Sequence, residues 1–433
     1  MPRPAPLSTT RAAGDTGHVT DTNTVHREYN VTAGAQVRYV SKDGNDSYDG
    51  YSWGSAKLTV RAALESLPTF AGASGILAHY GTINVGRGTF DETKGTEFTT
   101  HVLDISHQIR LIGSGTGPGD RGTNIRLAAG QNVPLVDGNP GMGNDAHGVV
   151  IRDIGFDGNK ANQTTSTGDN ADTVIIRGGG FGYRLENTGV SNAKRWGINM
   201  KKNMVNVNGY ELNFSSCGDA TQGGAVLWTI NGGPSQFTWI GGQIDKCGVE
   251  PLRIVHLAGG GAMMSLRDIK FENNGPDPLL HVRPIVFVPI QTAGGQPPMF
   301  TLESVYGNSP PAGTGGNPYF IYEQAGLGVG ARWELHNINA SHYFVKAFES
   351  AKTGQSSKTW AIGQAHFRGP ETFEFGQNPV VEWSGAQMYV GTGTPEAVVT
   401  APIGSLFLRK DGAATTTLYV KTSGIGNTGW TGK

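Results

Sequence analysis

One pattern restricts the fold of this chain more than any other: a segment with the same apolar spacing returns repeatedly along its middle. The copies are IRDIGFDGN (151–159), LENTGVSNA (185–193), GYELNFSSC (209–217), WIGGQIDKC (239–247), LRDIKFENN (266–274), LESVYGNSP (302–310) and LHNINASHY (335–343). Aligned, a first column reads Ile151, Leu185, Gly209, Trp239, Leu266, Leu302, Leu335. Three residues on, a second reads Ile154, Thr188, Leu212, Gly242, Ile269, Val305, Ile338. Two further on, a third reads Phe156, Val190, Phe214, Ile244, Phe271, Gly307, Ala340. Alternation within each unit suits strands rather than helices. Repeat intervals of roughly 24 to 36 residues exclude a strict consensus array and suit coils of fixed strands and variable loops. Each coil leaves an apolar edge that only the next coil covers, so the stack is stable only as a stack. The columns predict an all-β chain, a right-handed parallel β-helix over 36–385.

Glycine supports this reading. The chain has 66 glycines, about twice ordinary usage, without a collagen period or low-complexity runs. Many short strands need many tight turns. Residues 1–35, rich in Thr, Ala, Pro and Gly, bury little and read as an arm or attachment segment. Order begins with a short strand ending at Val40, then a turn-rich loop. A helix near 59–67 follows, opened by Thr59, with Val60, Ala63, Leu64 and Leu67 on one face and Pro68 as its stop. A β-helix exposes the cross-section of its core at its ends, and such a helix can plug one. Residues 386–433 alternate short strands (Leu406, Leu408; Leu418, Val420) with Asp-Gly and Gly-rich turns. They read as a β module too slight to hold a core alone, which association with its own copies would remedy.

Several classes of partner are excluded by composition. Lys plus Arg number 34 and Asp plus Glu 35, a formal charge of −1, where a nucleic-acid partner demands a concentrated basic excess. No apolar run approaches a membrane span, and MPRPAPLSTTRAAGDTG has no secretory apolar stretch, so the chain is expected to fold where it is made, without a signal peptide. Two cysteines make no disulfide scaffold. No common Cys/His zinc pattern occurs, so neither metal nor cofactor is expected. DGNDSYDG (43–50) superficially resembles a calcium loop, but its twelfth position is Gly54 rather than Glu, and it reads as a turn.

Two stretches carry a resemblance. YVSKDGNDSYDGYSWGSAKLTVRAAL, followed by GTINVGRGTF, resembles the opening of the pectate-lyase-like β-helix superfamily, common in phage tailspikes. GSLFLRKDGAATTTLYVKTSGIGNTGW resembles a C-terminal module of phage tail proteins, and GDTGHVTDTNTVH looks like the start of minor tail proteins of actinobacterial phages. Together they cover about a third of the chain. The resemblance implies a homotrimer on the virion, joined to other tail proteins through its N-terminus, that binds and sometimes cleaves host cell-surface polysaccharide. Synthesis would be in the host cytoplasm, with no membrane insertion. A non-catalytic receptor-binding tail protein and a cellular polysaccharide lyase or hydrolase stay open as alternatives.

Candidate chemistry follows from the coil. The column three after Ile154 reads Asp157, Ser191, Ser215, Asp245, Glu272, Asn308, Ser341 and is wholly polar, as an outward face requires. Adjacent coils lie about 4.8 Å apart, so Asp245 and Glu272 fall near the carboxylate spacing of retaining glycosidases, where each raises the other's proton affinity. Asp219, Glu250 and Asp277, in the turns after the strands, offer a wider pairing with room for a water. Arg253 and His256 are placed to grip an acidic sugar or, in a lyase, abstract a proton. Trp196 and Trp228 lie outside the aligned columns and are candidates to stack on sugar rings, whereas Trp239 is assigned to the core. Each has an ordinary structural reading beside it: outward columns are polar for solubility, and histidines and tryptophans are commonly core. Cys217 and Cys247 share a column on adjacent coils and are expected as reduced thiols.

Overall fold

The computed structural model describes residues 36–433 except 72–76, 97–98, 106–107, 118–120, 139–147, 178–180, 202–204, 220–221, 232–234, 259–260, 273, 275–282, 291–296, 309–318, 325–330, 341–345, 351–359, 363–380 and 384–385. Two parallel sheets share the chain. The first runs through Val37–Val40, Gly81–Val85, Ile109–Ile112, Val150–Asp157, Phe181–Ser191, Val205–Ser215, Ser235–Asp245, Ala262–Arg267, Met299–Glu303, Arg332–His336 and Trp360–Ile362. The second runs through Leu103–Asp104, Val136–Gly138, Val174–Arg177, Trp196–Lys201, Gly224–Asn231, Leu252–Ala258, Ile285–Pro289, Tyr319–Glu323 and Lys346–Ser350. The chain visits them alternately and advances one strand per visit, which makes the fold a right-handed parallel β-helix.

The aligned columns are strand register. Ile151 pairs with Leu185, Leu185 with Gly209, Gly209 with Trp239, and Trp239 with Leu266. The third column runs from Phe156 through Val190, Phe214, Ile244 and Phe271 to Gly307. A spacing of three and then two breaks strict alternation, and the cause lies at one residue per coil. Asp153, Asn187, Glu211, Gly241, Asp268, Ser304 and Asn337, each two positions after the first column, have φ between 42° and 74°. A single left-handed residue bends the strand, so that residues on both sides of the corner point inward. Asn, Asp and Gly dominate because they tolerate this conformation best. At Gly242, with φ of 103°, a Cβ would lie 2.0 Å from the Leu212 carbonyl oxygen, so only glycine fits.

The interior is one continuous apolar column, including Phe214, Trp239, Phe237 and Trp228 and, further along, Phe287, Phe300 and Trp333. Its aromatic rings meet edge to face, as Phe300 and Trp333 do at 4.8 Å between centroids. At the next corner Asn192, Ser216 and Lys246 are again left-handed. The residues after them, Ala193, Cys217 and Cys247, turn inward and are fully buried. Both cysteines are free thiols, and burial pushes the Cys247 thiol up. One coil on, Asn274 continues the column, accepting from the Cys247 amide at 3.0 Å and donating to the Ile244 carbonyl at 3.1 Å.

The start of the stack is closed by a helix, Val60–Glu65, whose Val60, Ala63 and Leu64 are buried against Val37–Val40 and Gly81–Val85. Thr59 caps it, its hydroxyl accepting from the Ala62 amide at 3.1 Å. The loop before it is a turn, as its sequence suggests. Asn45 and Asp49 accept from the amides two residues on, and Asp46 accepts from Leu58 and Thr59. Backbone bonds from Tyr39 to Gly50 and from Lys57 to Tyr39 cover the free edge of the first strand.

At the other terminus a separate five-stranded sheet comprises Val381–Trp383, Ala386–Gly391, Leu406–Arg409, Leu418–Lys421 and Trp430–Gly432. It surrounds a small cluster of Tyr389, Ala401, Phe407, Tyr419 and Trp430, while Val398, Ile403 and Ile425 stand exposed. Among the described residues no helix is long and apolar enough to cross a membrane.

Candidate functional site

Beyond the corner residues, the bent strands present a second outer face with two polar columns. One reads Asp157, Ser191, Ser215, Asp245, Glu272 and Asn308 in register. The other, two positions earlier, reads Gly155, Gly189, Asn213, Gln243, Lys270 and Tyr306. Asp245 and Glu272 are direct partners on adjacent strands, so their Cα atoms are separated by one strand spacing, about 4.8 Å. Each carboxylate also faces an ammonium group. Lys270 Nζ lies 2.5 Å from Glu272 Oε1, and Lys246 Nζ lies 3.8 Å from Asp245 Oδ2. The pair is charge-balanced and only partly exposed. Beside it a depression of about 430 Å³ is lined by Asp268, Ile269, Lys270, Ser304 and Tyr306.

The remaining predicted residues are placed elsewhere. Asp219 closes a tight turn, its carboxylate accepting from the Gln222 amide at 2.9 Å. Glu250 is bound by Arg253, with Arg283 at 3.9 Å, so Arg253 is committed to an internal ion pair rather than held out to an acidic sugar. Asp277 lies outside the described residues. His256 is fully buried, pairing with Ile230 and Pro289 along the second sheet, and grips no ligand at the surface. Trp196 is 6 % exposed and Trp228 0 %. Trp228 continues an inward column from Met200 to Ile254, so neither indole offers a face to a sugar. Their positions outside the first-sheet repeat reflect a second inward column on the other sheet. Trp239, assigned to the core, is indeed buried.

The second sheet also carries charge that the repeat alignment does not reveal. Asp104 and Asp137 are in-register neighbours and are both buried. Arg177 grips Asp137 through Nε and Nη2, each at 2.8 Å, and reaches Asp169 at 3.2 Å. Although burial opposes it, Lys201 and Arg177 hold the Asp169 carboxyl below the usual range. Burial keeps the nearby His101 imidazole below its ordinary value and pushes the Tyr183 phenol up. Further along, Asp172 accepts from Arg195 Nε at 2.7 Å and from Asn199 Nδ2 at 2.6 Å, and burial pushes its carboxyl up despite these donors. These side chains come from the loops that fold over the sheet as much as from its strands. Their sequence signal is only an aspartate beside a short apolar strand, as in LVDG and NADTVII.

No known family profile and no curated protein matches the chain. Several solved structures do. One is ORF18 of Geobacillus virus E2, at 11 % identity and a TM-score of 0.43 over 98 % of this chain and 79 % of that one. Another is the pectin methylesterase of Aspergillus niger, at 12 % and 0.34 over 78 % of this chain and 90 % of that one. A third is the A-module of the mannuronan C-5 epimerase AlgE6 of Azotobacter vinelandii, at 13 % and 0.27 over 72 % and 94 %. None of these three reaches 0.5, and none bears on the chemistry of this chain.

Proposed function

We propose that this chain is a phage tail protein of the tailspike or minor-tail type that holds host cell-surface polysaccharide along the outer face bearing Asp245 and Glu272. One observation supports the reading above others: that face offers two unbroken columns of polar or glycine positions across successive coils. Its repeat, about 4.8 Å per coil, is close to the length of one pyranose unit, so a linear polymer lying along the axis meets similar groups at each step. The sequence resemblance of both ends to phage tail proteins points the same way. Exposed Val398, Ile403 and Ile425 on the C-terminal module are suited to self-association, which fits a homotrimer. Residues 1–35 are assigned to attachment to other tail proteins, and the site of action to the virion.

A second reading, depolymerisation, rests on the register of Asp245 with Glu272. Incubating the purified protein with host envelope polysaccharides and measuring new reducing ends or unsaturated uronates separates the two. Sedimentation of the protein with the same polymers tests binding itself. Retention without product supports a receptor-binding protein. Product that disappears in a correctly assembled Asp245→Asn variant supports catalysis by the pair, and neither retention nor product removes both readings.

A further inference from the structure

We infer that the depression lined by Asp268, Lys270, Ser304 and Tyr306 is a subsite for a single uncharged hexose unit, with Asp268 and Tyr306 setting its specificity. This rests on the reading of the surrounding face as a polysaccharide-binding surface.

The site is built by the bend of the coil. Asp268 and Ser304 are the left-handed corner residues of adjacent coils, with φ of 56° and 53°. Their amides donate to the carbonyls of Glu303 and His336, each at 2.9 Å, which fixes the corner backbone. Two positions on, Lys270 and Tyr306 are direct register partners. Four outward side chains thus form a two-by-two array, with Ile269 beneath it. At about 430 Å³ the space falls within the range of small-ligand sites.

The chemistry of the four groups selects the ligand. The Lys270 ammonium stands over one face of the Tyr306 ring, 5.9 Å from its centroid, which leaves the ring's other face and edge for the C–H groups of a pyranose, and the phenol hydroxyl donates or accepts. Ser304 Oγ accepts from Asn337 Nδ2 at 3.3 Å, which leaves its own proton for a ligand oxygen. Among the described residues no side chain donates to the Asp268 carboxylate, whose two oxygens can accept from neighbouring sugar hydroxyls. Lys270 is the one cation in the lining, and its ammonium is tied to Glu272 at 2.5 Å. A uronate would therefore meet the Asp268 carboxylate with no uncommitted positive charge in the lining. A neutral hexose meets acceptors, a donor and a ring.

Asp268→Asn tests this without disturbing the corner, because asparagine tolerates the left-handed conformation. Full-length protein, Asp268→Asn and Tyr306→Ala are compared on an array of neutral and acidic bacterial surface glycans, and affinities are then measured by calorimetry for the best binder. The expected result is a neutral hexose-containing glycan as best binder, with affinity reduced about tenfold or more in each variant at unchanged melting temperature. Preference for a uronate, or wild-type affinity in both variants, overturns the subsite while leaving the binding face intact. No binding anywhere on the array overturns the face and the subsite together.

Discussion

Arg177 meets Asp137 through a two-pronged ion pair, Nε to Oδ1 and Nη2 to Oδ2, each 2.8 Å, with the carboxylate only 3 % exposed. The fork geometry matches a carboxylate well, and it neutralises a charge that the outer side of the second sheet otherwise buries beside Asp104. Removing one partner of such a pair strands the other in a poorly solvated site. Arg177→Met is expected to lower unfolding free energy by about 3–5 kcal/mol. Pairing it with Asp137→Leu should restore part of that loss, because the stranded charge is then gone. Urea unfolding of the two single variants and the double variant measures the coupling; additive losses would show that the two residues act independently.

The first sheet was legible in the sequence, and the second largely was not. The bend at Asp153, Asn187 and their equivalents forces an inward spacing of three and then two, which no plain strand or helix produces, and the alignment detects it. In the second sheet Val174, Ile175 and Ile176 are all buried, Ile175 from the outer side, so the alternation that marks inside from outside is lost. Trp228 and His256 lie in strands that keep the alternation, but the repeat alignment does not extend to them, so they looked like candidates for the surface although both are interior. The polar ladder and the neighbouring of Asp245 and Glu272 follow from the first-sheet columns. Lys246 and Lys270, which balance that pair, were missed because ion pairing between near neighbours in one coil leaves no column signature.

Trp228 gives a direct check of this reassignment. Its indole is fully buried and packs edge to face on Phe237, with ring centroids 6.0 Å apart. Replacing it with alanine should cost about 3–5 kcal/mol through lost burial and the cavity left behind. Trp228→Phe should cost less and leave polysaccharide retention unchanged once the protein is folded. Retention lost at unaltered melting temperature would return Trp228 to the binding surface.

Gly242 permits the sharpest backbone test. It follows the corner residue Gly241, and both have positive φ, 103° and 74°. A methyl group at 242 would overlap the Leu212 carbonyl of the preceding coil, and the backbone would also have to leave a region that L-residues avoid. Gly242→Ala is expected to lower the melting temperature markedly or prevent soluble folding. At Lys246, by contrast, a lysine occupies a left-handed corner with φ of 51°. Lys246→Gly should be neutral or stabilising by up to about 1 kcal/mol. A tolerated Gly242→Ala with a damaging Lys246→Gly would reverse the proposed rule for the corners.

The helix that closes the stack makes stability depend on pH through Glu92. This carboxyl is fully buried and accepts from the Val60 amide at 2.6 Å and the Arg61 amide at 3.1 Å. Burial pushes it up to about 7 from an ordinary 4.5, outweighing the pull of the two amides. The fold thus favours the protonated acid more than the unfolded chain does. Its contribution is fully present below about 4.5 and is lost as pH rises through about 7, a fall on the order of 3 kcal/mol. Glu92→Gln keeps an acceptor for the Val60 amide and removes the titration. Urea midpoints measured from about pH 5 to about pH 8 should decline for the wild-type protein and stay nearly level for the variant. Parallel declines in both would assign the pH dependence to another group.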